Sequence, residues 1–225
     1  MTPFEGFPPK CFAFFEGLAE DNSKAYWDAH RQGWEGAVRG PMRALVAELD
    51  DEFGPLRIFR PNRDVRFSPD KSPYKLWIGA TSESRGAGGT GYHVEVSAAG
   101  MLVGYGAMLF ARDQLARFRA AVAAKESGTA LEGVLAGLAA AALPGSAGFE
   151  PPLTRVPRGY PSDHPRAELL RWKGAVVLVQ DDRAEWMGDH RALDRVREVW
   201  RGARPLRDWL DAHVGASEQP ASRRP

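Results

Sequence analysis

The chain is short of most features that would name a function. Cys11 is its only cysteine, so no intramolecular disulfide can form, as expected for a reducing compartment. It has no excess of charge. Thirty Lys and Arg stand against 29 Asp and Glu for a formal net charge of +1, which removes support for a whole-molecule attraction to nucleic acid or a membrane surface. Long apolar runs are missing as well. The most apolar tract, 130–143, is interrupted by Glu132, Gly133 and Gly137 and is too short to cross a bilayer. The opening M-T-P-F-E-G-F-P-P-K-C-F places Glu5 and three prolines where a secretory leader needs a basic start and an apolar stretch. Together these features predict a soluble cytoplasmic protein with no membrane partner.

The familiar catalytic and cofactor signatures are also absent. There is no P-loop, H-E-x-x-H, paired C-x-x-C or G-x-S-x-G. Gly86–Gly91 satisfies G-x-G-x-x-G in form, but a strand pattern follows where a dinucleotide-binding turn needs a helix, so a loop between strands is expected. The five histidines are too dispersed to suggest a metal site.

What is present is a core and a sharp local concentration of charge. Apolar residues make up 44% and aromatics 10%, enough for a folded interior. Helical periodicity runs over Cys11–Leu18, over a stretch carrying Tyr26, Trp27, His30 and Trp34 with Asn22 or Ser23 as its N-cap, and over Met42–Phe53. Gly40-Pro41 is expected to separate the last two, with Pro41 opening a third helix. Strands are expected at Leu56–Phe59, Lys75–Thr81 and Ala175–Val179, and an antiparallel hairpin at Tyr92–Leu109 turning at Ala98–Gly100. Gly104 and Gly106 share one face of its second strand, where a backbone or a ligand can approach closely. Helices are expected again at Arg112–Ala124, Thr129–Leu143, His190–Arg201 and Leu206–Val214, with 144–152 a loop. The pattern predicts an α+β fold: a mostly antiparallel sheet with helices from both chain ends packed on it. Residues 1–214 would form a single domain and 215–225 a disordered tail.

The charge is concentrated between Arg57 and Lys75, R-I-F-R-P-N-R-D-V-R-F-S-P-D-K-S-P-Y-K. Here Arg57, Arg60, Arg63, Arg66, Lys71 and Lys75 face only Asp64 and Asp70, a local surplus of four. Four arginines recur at intervals of three, a spacing that an extended threefold path would align, and Pro61 favours extended chain. Converging guanidinium groups suit phosphate or carboxylate. Tyr74 and Lys75, beside several cations, are candidates for proton chemistry, with pKa values expected to be depressed. Asp64 and Asp70 are expected to orient arginines. The competing reading is a structural salt-bridge network in which nearby acids consume the surplus.

This segment resembles a bacterial and fungal family known as domain of unknown function 2461, whose pattern R-x-x-R-D-x-R-F-S-x-D-K-x-P-Y-K is matched from Arg60 to Lys75. Two further stretches resemble it: Phe14, Phe15, Leu18, Asn22, Lys24, Tyr26, Trp27 and His30 in the first, and Pro157–Pro165 with Leu169, Leu170 and Lys173 in the second. Tyr26-Trp27 departs from the more usual order of the pair. The resemblance spans roughly residues 10 to 210 and implies no particular activity.

Arg158 and the Asp163-His164-Pro165 run form a second polar cluster. If it folded against the basic segment, Arg158 would complete an anion cradle and His164 could transfer protons. The plainer expectation for Asp163-His164-Pro165 is a helix start, and for Asn22 a helix cap. The leading functional expectation is therefore a pocket for a small phosphorylated or carboxylated ligand. Arg60, Arg63, Asp64, Arg66, Ser68, Asp70, Lys71 and Arg158 would bind it, and Tyr74, Lys75 and His164 would be the reactive groups. A nucleic-acid-binding module using the same arginines is the second reading, and a partner-binding domain with a buried polar network the third.

Overall fold

The computed structural model describes residues 3–66, 68–82 and 89–219. Its architecture is α+β. Six strands form one sheet in the order β1-β2-β3-β4-β6-β5, where β1 is Leu56–Ile58, β2 Trp77–Ser82, β3 Gly91–Ser97, β4 Gly100–Ala107, β5 Gly145–Ser146 and β6 Ala175–Asp182. The helices are α1 Pro9–Glu20, α2 Lys24–Gly33, α3 Gly40–Phe53, α4 Arg112–Ala123, α5 Lys125–Ala140, α6 Ala167–Leu170, α7 Arg191–Gly202 and α8 Arg204–His213. No helix of the described residues is long and apolar enough to cross a membrane. Of the Gly86–Gly91 run, 86–88 lie outside the described residues and Gly91 opens β3.

Two compact units divide the chain. The first comprises Met1–Glu83, His93–Val103 and Gln180–Glu198. In it Pro9 occupies the first turn of α1, where its missing N–H costs nothing, and Cys11, Phe15 and Leu18 are buried at helical spacing. Burial pushes the Cys11 thiol up to about 12, against a smaller opposing effect of Arg183. Strand β1 pairs antiparallel with β2 (Leu56 to Ser82, Ile58 to Ala80) and β2 with β3 (Trp77 to Ser97, Thr81 to His93). Along β3 the alternation Val94 and Val96 in, His93 and Glu95 partly out, is the period-two pattern of the sequence.

The expected break at Gly40-Pro41 does not occur. Lys24–Phe53 runs on as helix through a π-helical turn, Trp34–Arg39, between α2 and α3. The reason is chemical. Pro41 has no N–H and its ring crowds the carbonyl four residues back, so the turn before it widens and Gly40 N–H donates instead to Glu35 O, five residues earlier.

The second unit comprises Ser84–Tyr92, Gly104–Val179 and Val199–Pro225. Phe118, Val122, Leu131, Trp200, Leu206 and Leu210 are fully buried there. Gly104 and Gly106 are explained by backbone rather than by a ligand. A Cβ at either would run into the carbonyl of Val177 or Ala175 on β6, and Gly106 has φ of +136°. The expected loop 144–152 contains β5, which pairs with Val176 and Val177. Gly215–Glu218 is tied to α4: Gln114 donates to Gly215 O at 2.8 Å, and Asp113 accepts from Ser217 Oγ and Glu218 N–H at 2.8 and 2.9 Å. Residues 220–225 lie outside the described residues.

Candidate functional site

The basic segment continues β1 and β2 beyond the sheet as an extended ribbon. Phe59 N–H donates to Gly79 O at 2.9 Å, Lys75 N–H to Pro61 O and Arg63 N–H to Pro73 O, both at 2.8 Å. Asn62 and Tyr74 form an isolated antiparallel bridge. The turn beyond it is held by its own side chains. The Asp70 carboxylate accepts from Ser72 N–H at 2.9 Å, from Ser72 Oγ at 2.7 Å and from Arg63 Nη1, and these bonds, Ser72 first, hold it far below the usual carboxylate range. Asp64 accepts Arg66 Nε at 3.0 Å and Nη2 at 2.7 Å, which with the Arg66 backbone N–H lowers it to about 2. Lys71 Nζ donates to Val65 O at 2.9 Å. Ser68 donates its N–H to Val65 O.

Two aromatic and amide contacts fix this ribbon to α2. Tyr74 is 7% exposed, and its ring stacks on Trp27 with centroids 4.3 Å apart and planes 11° apart. Asn22 Oδ1 accepts Tyr74 N–H, and Asn22 Nδ2 donates to Tyr74 O, both at 3.1 Å. Asn22 is therefore not the helix cap; Ser23 Oγ takes that role, accepting Tyr26 N–H at 3.1 Å. The Asn22 amide instead copies a strand's donor and acceptor against Tyr74. His30 is exposed, stacks on Tyr26 at 4.0 Å and hydrogen-bonds the Tyr26 carbonyl.

Lys75 Nζ donates to Arg60 O at 2.6 Å and Asn62 O at 2.9 Å and lies 5.4 Å from the Trp77 ring centroid. Burial first, then Arg60 and Arg57, push its pKa below the ordinary lysine value. The expected depression is thus present at Lys75, although two carbonyls already hold the ammonium. Arg57 lies over the Phe59 ring, 5.2 Å from its centroid.

Among the described residues, two hollows adjoin the ribbon, both built within the first unit. One, of about 460 Å3, is lined by Arg63, Asp64, Asp70, Tyr74, Lys75, Leu76 and Trp77. Its charges cancel, two cations against two carboxylates. The other, of about 390 Å3, has Trp27, Trp34, Phe59 and Pro61 in its wall together with Arg31, Glu35, Arg39, Arg43, Arg60 and Asn62. Four arginines and one glutamate line it. Arg39 is paired with Glu35 through Nη1 at 3.0 and 3.2 Å and lies 5.5 Å from the Trp34 ring centroid. Arg31, Arg43 and Arg60 have no hydrogen-bonded or ion-paired side-chain partner among the described residues.

The structure therefore divides the predicted set. Arg63, Asp64, Asp70, Tyr74 and Lys75 meet at the balanced hollow. Arg66 and Lys71 brace the turn, and with Ser68 they line neither hollow. Arg60 alone of the set lines the cationic one. Arg158, exposed, and His164 belong to the second unit. His164 Nδ1 accepts Arg166 N–H at 3.0 Å and His164 O accepts Ala167 N–H, so Asp163-His164-Pro165 forms a turn ahead of α6, whose N-cap is Arg166 and not Asp163. Sequence reading missed Arg31, Glu35, Arg39 and Arg43. Their signal was available as a repeat of four on one helix. Four residues overshoot an α-helical turn by about 40°, and the wide turn at Trp34–Arg39 takes back part of that drift, so all four reach one hollow.

These features define an α+β protein with a guanidinium-lined hollow beside a self-braced basic ribbon. The chain belongs to the family described as conserved hypothetical protein (DUF2461), whose model matches residues 10–209. No curated protein and no solved structure matches it.

Proposed function

We propose that the first unit binds a small anionic ligand, phosphorylated or carboxylated, in the hollow lined by Arg31, Arg39, Arg43 and Arg60. The observation that carries this reading is the unbalanced charge of the lining residues, four arginines to one glutamate, with Arg31, Arg43 and Arg60 in no hydrogen bond or ion pair with a carboxylate among the described residues. Guanidinium forks match phosphate and carboxylate oxygens. Each charge-assisted bond contributes about 1.5–3 kcal/mol where water is excluded, and less in an open hollow such as this one. The basic ribbon supports the site from outside: Lys75 grips the carbonyls of Arg60 and Asn62, and Tyr74 packs on Trp27, so both walls are set by the motif.

Titration calorimetry with inorganic phosphate, phosphate esters and carboxylates tests the proposal. Arg60→Ala and Arg43→Ala should each weaken binding about tenfold, a loss of about 1.4 kcal/mol, whereas Arg66→Ala should leave it within about twofold. Equal affinity in wild type and Arg60→Ala removes the proposal.

A further inference from the structure

The cationic hollow contains one residue that a plain anion clasp would do better without. Glu35 is the one carboxylate among its described lining residues, and it stands in the middle of the ladder, four residues after Arg31 and four before Arg39. A bound anion is repelled by it. A guanidinium group only donates hydrogen bonds, and an ionised carboxylate only accepts them. Four arginines therefore satisfy ligand oxygens that carry charge but offer nothing to a ligand O–H. Arg39 Nη1 engages both Glu35 oxygens, at 3.0 and 3.2 Å, which occupies one acceptor position on each. A carboxylate has about four such positions, so the remaining pair can receive a hydroxyl donor.

Placement agrees with this division of labour. Glu35 and Arg39 both lie on the π-helical turn Trp34–Arg39, a feature found often where a helix serves a site. Arg60 and Asn62 approach from the ribbon, and the Asn62 amide adds a group able to donate and accept. A volume of about 390 Å3 leaves room for more than a phosphoryl group.

Resting on the function proposed above, we infer that the ligand of this hollow is a phosphate ester carrying a hydroxyl close to its phosphate, a phosphorylated polyol or sugar, and that Glu35 is the residue that reads the hydroxyl. The phosphate is bound by Arg31, Arg43 and Arg60, and the hydroxyl donates to Glu35, which offsets the repulsion between the two negative groups. An ester without the hydroxyl suffers that repulsion with nothing in return. Sites that present a polar group to a ligand hydroxyl discriminate against the analogue lacking it, because the polar group is left without its partner.

The experiment compares glycerol 3-phosphate with n-propyl phosphate by titration calorimetry at pH 7.5, in wild type, Glu35→Gln and Arg60→Ala. Wild type should favour glycerol 3-phosphate by about tenfold. Glu35→Gln should bind n-propyl phosphate several-fold more tightly than wild type does, and its preference should shrink about threefold, since a neutral amide oxygen accepts the hydroxyl more weakly than a carboxylate. Arg60→Ala should weaken both ligands while keeping the preference. If wild type binds both esters alike, or Glu35→Gln keeps the full preference, the inference is overturned while anion binding stands. If neither ester binds wild type, the inference is overturned, and anion binding falls with it when inorganic phosphate and the carboxylates fail to bind as well.

Discussion

Asn22 shows how one side chain can hold two distant parts of a sequence in register. Its amide accepts Tyr74 N–H and donates to Tyr74 O, satisfying both backbone groups of a residue on an isolated bridge. Asn22→Ala removes two hydrogen bonds and should cost about 1–3 kcal/mol, read as a lower denaturation midpoint at unchanged slope. Asn22→Asp should recover only part of this, since a carboxylate can accept Tyr74 N–H but repels Tyr74 O. A midpoint equal to wild type in Asn22→Ala would mean that the Trp27–Tyr74 stack alone fixes the ribbon. Asp64 gives a second residue-scale prediction. Its folded pKa, about 2, lies below the ordinary value near 3.9. Its contribution to the turn is therefore complete above about pH 4 and is lost as the pH falls toward 2. Carboxyl NMR should show Asp64 titrating near 2 in wild type and higher in Arg66→Ala, short of the ordinary value because the backbone N–H of residue 66 still donates; no difference between the two would contradict the assigned cause.

Among the elements, the segment Lys24–Phe53 matters most. Its sequence signals a boundary at Gly40-Pro41, and the signal is physically correct: proline cannot continue an α-helical hydrogen-bond ladder. What the pattern could not reveal is that a widened turn accommodates Pro41 without ending the helix. That turn decides whether residues spaced by four stay on one side. Pro41→Ala restores the N–H and removes a penalty of up to about 3 kcal/mol for an interior proline, so helix stability should rise, while phosphate affinity should fall as Glu35 and Arg39 turn relative to Arg43. Unchanged affinity, with amide exchange still reporting a widened turn, would show that packing and not Pro41 imposes it. The strands were more legible. Val94 and Val96 alternate with polar neighbours, and Ala98–Gly100 marks the hairpin, because a half-buried antiparallel strand writes its period directly into the sequence. Strand β5, two residues long, leaves no such trace.

For the whole molecule, a net charge of +1 conceals a very uneven distribution. The sequence exposed the surplus between Arg57 and Lys75 but not its disposition. Arg63 and Arg66 go to Asp70 and Asp64, Lys71 and Lys75 to backbone carbonyls, and only Arg60 reaches the hollow where charge stays uncompensated. The other three arginines come from a helix whose local charge is unremarkable when read in one dimension. Pairing depends on which side chains converge in space, so the motif marks the neighbourhood and the fold shows where cationic side chains gather with the fewest acids. The measurement that tests this most directly follows the arginine Nε–H resonances by 15N NMR during a phosphate titration. Resonances of Arg31, Arg43 and Arg60 should move together with one affinity, while those of Arg63 and Arg66, already engaged by carboxylates, stay still. Movement confined to Arg63 and Arg66, or no movement at millimolar phosphate, would contradict the account.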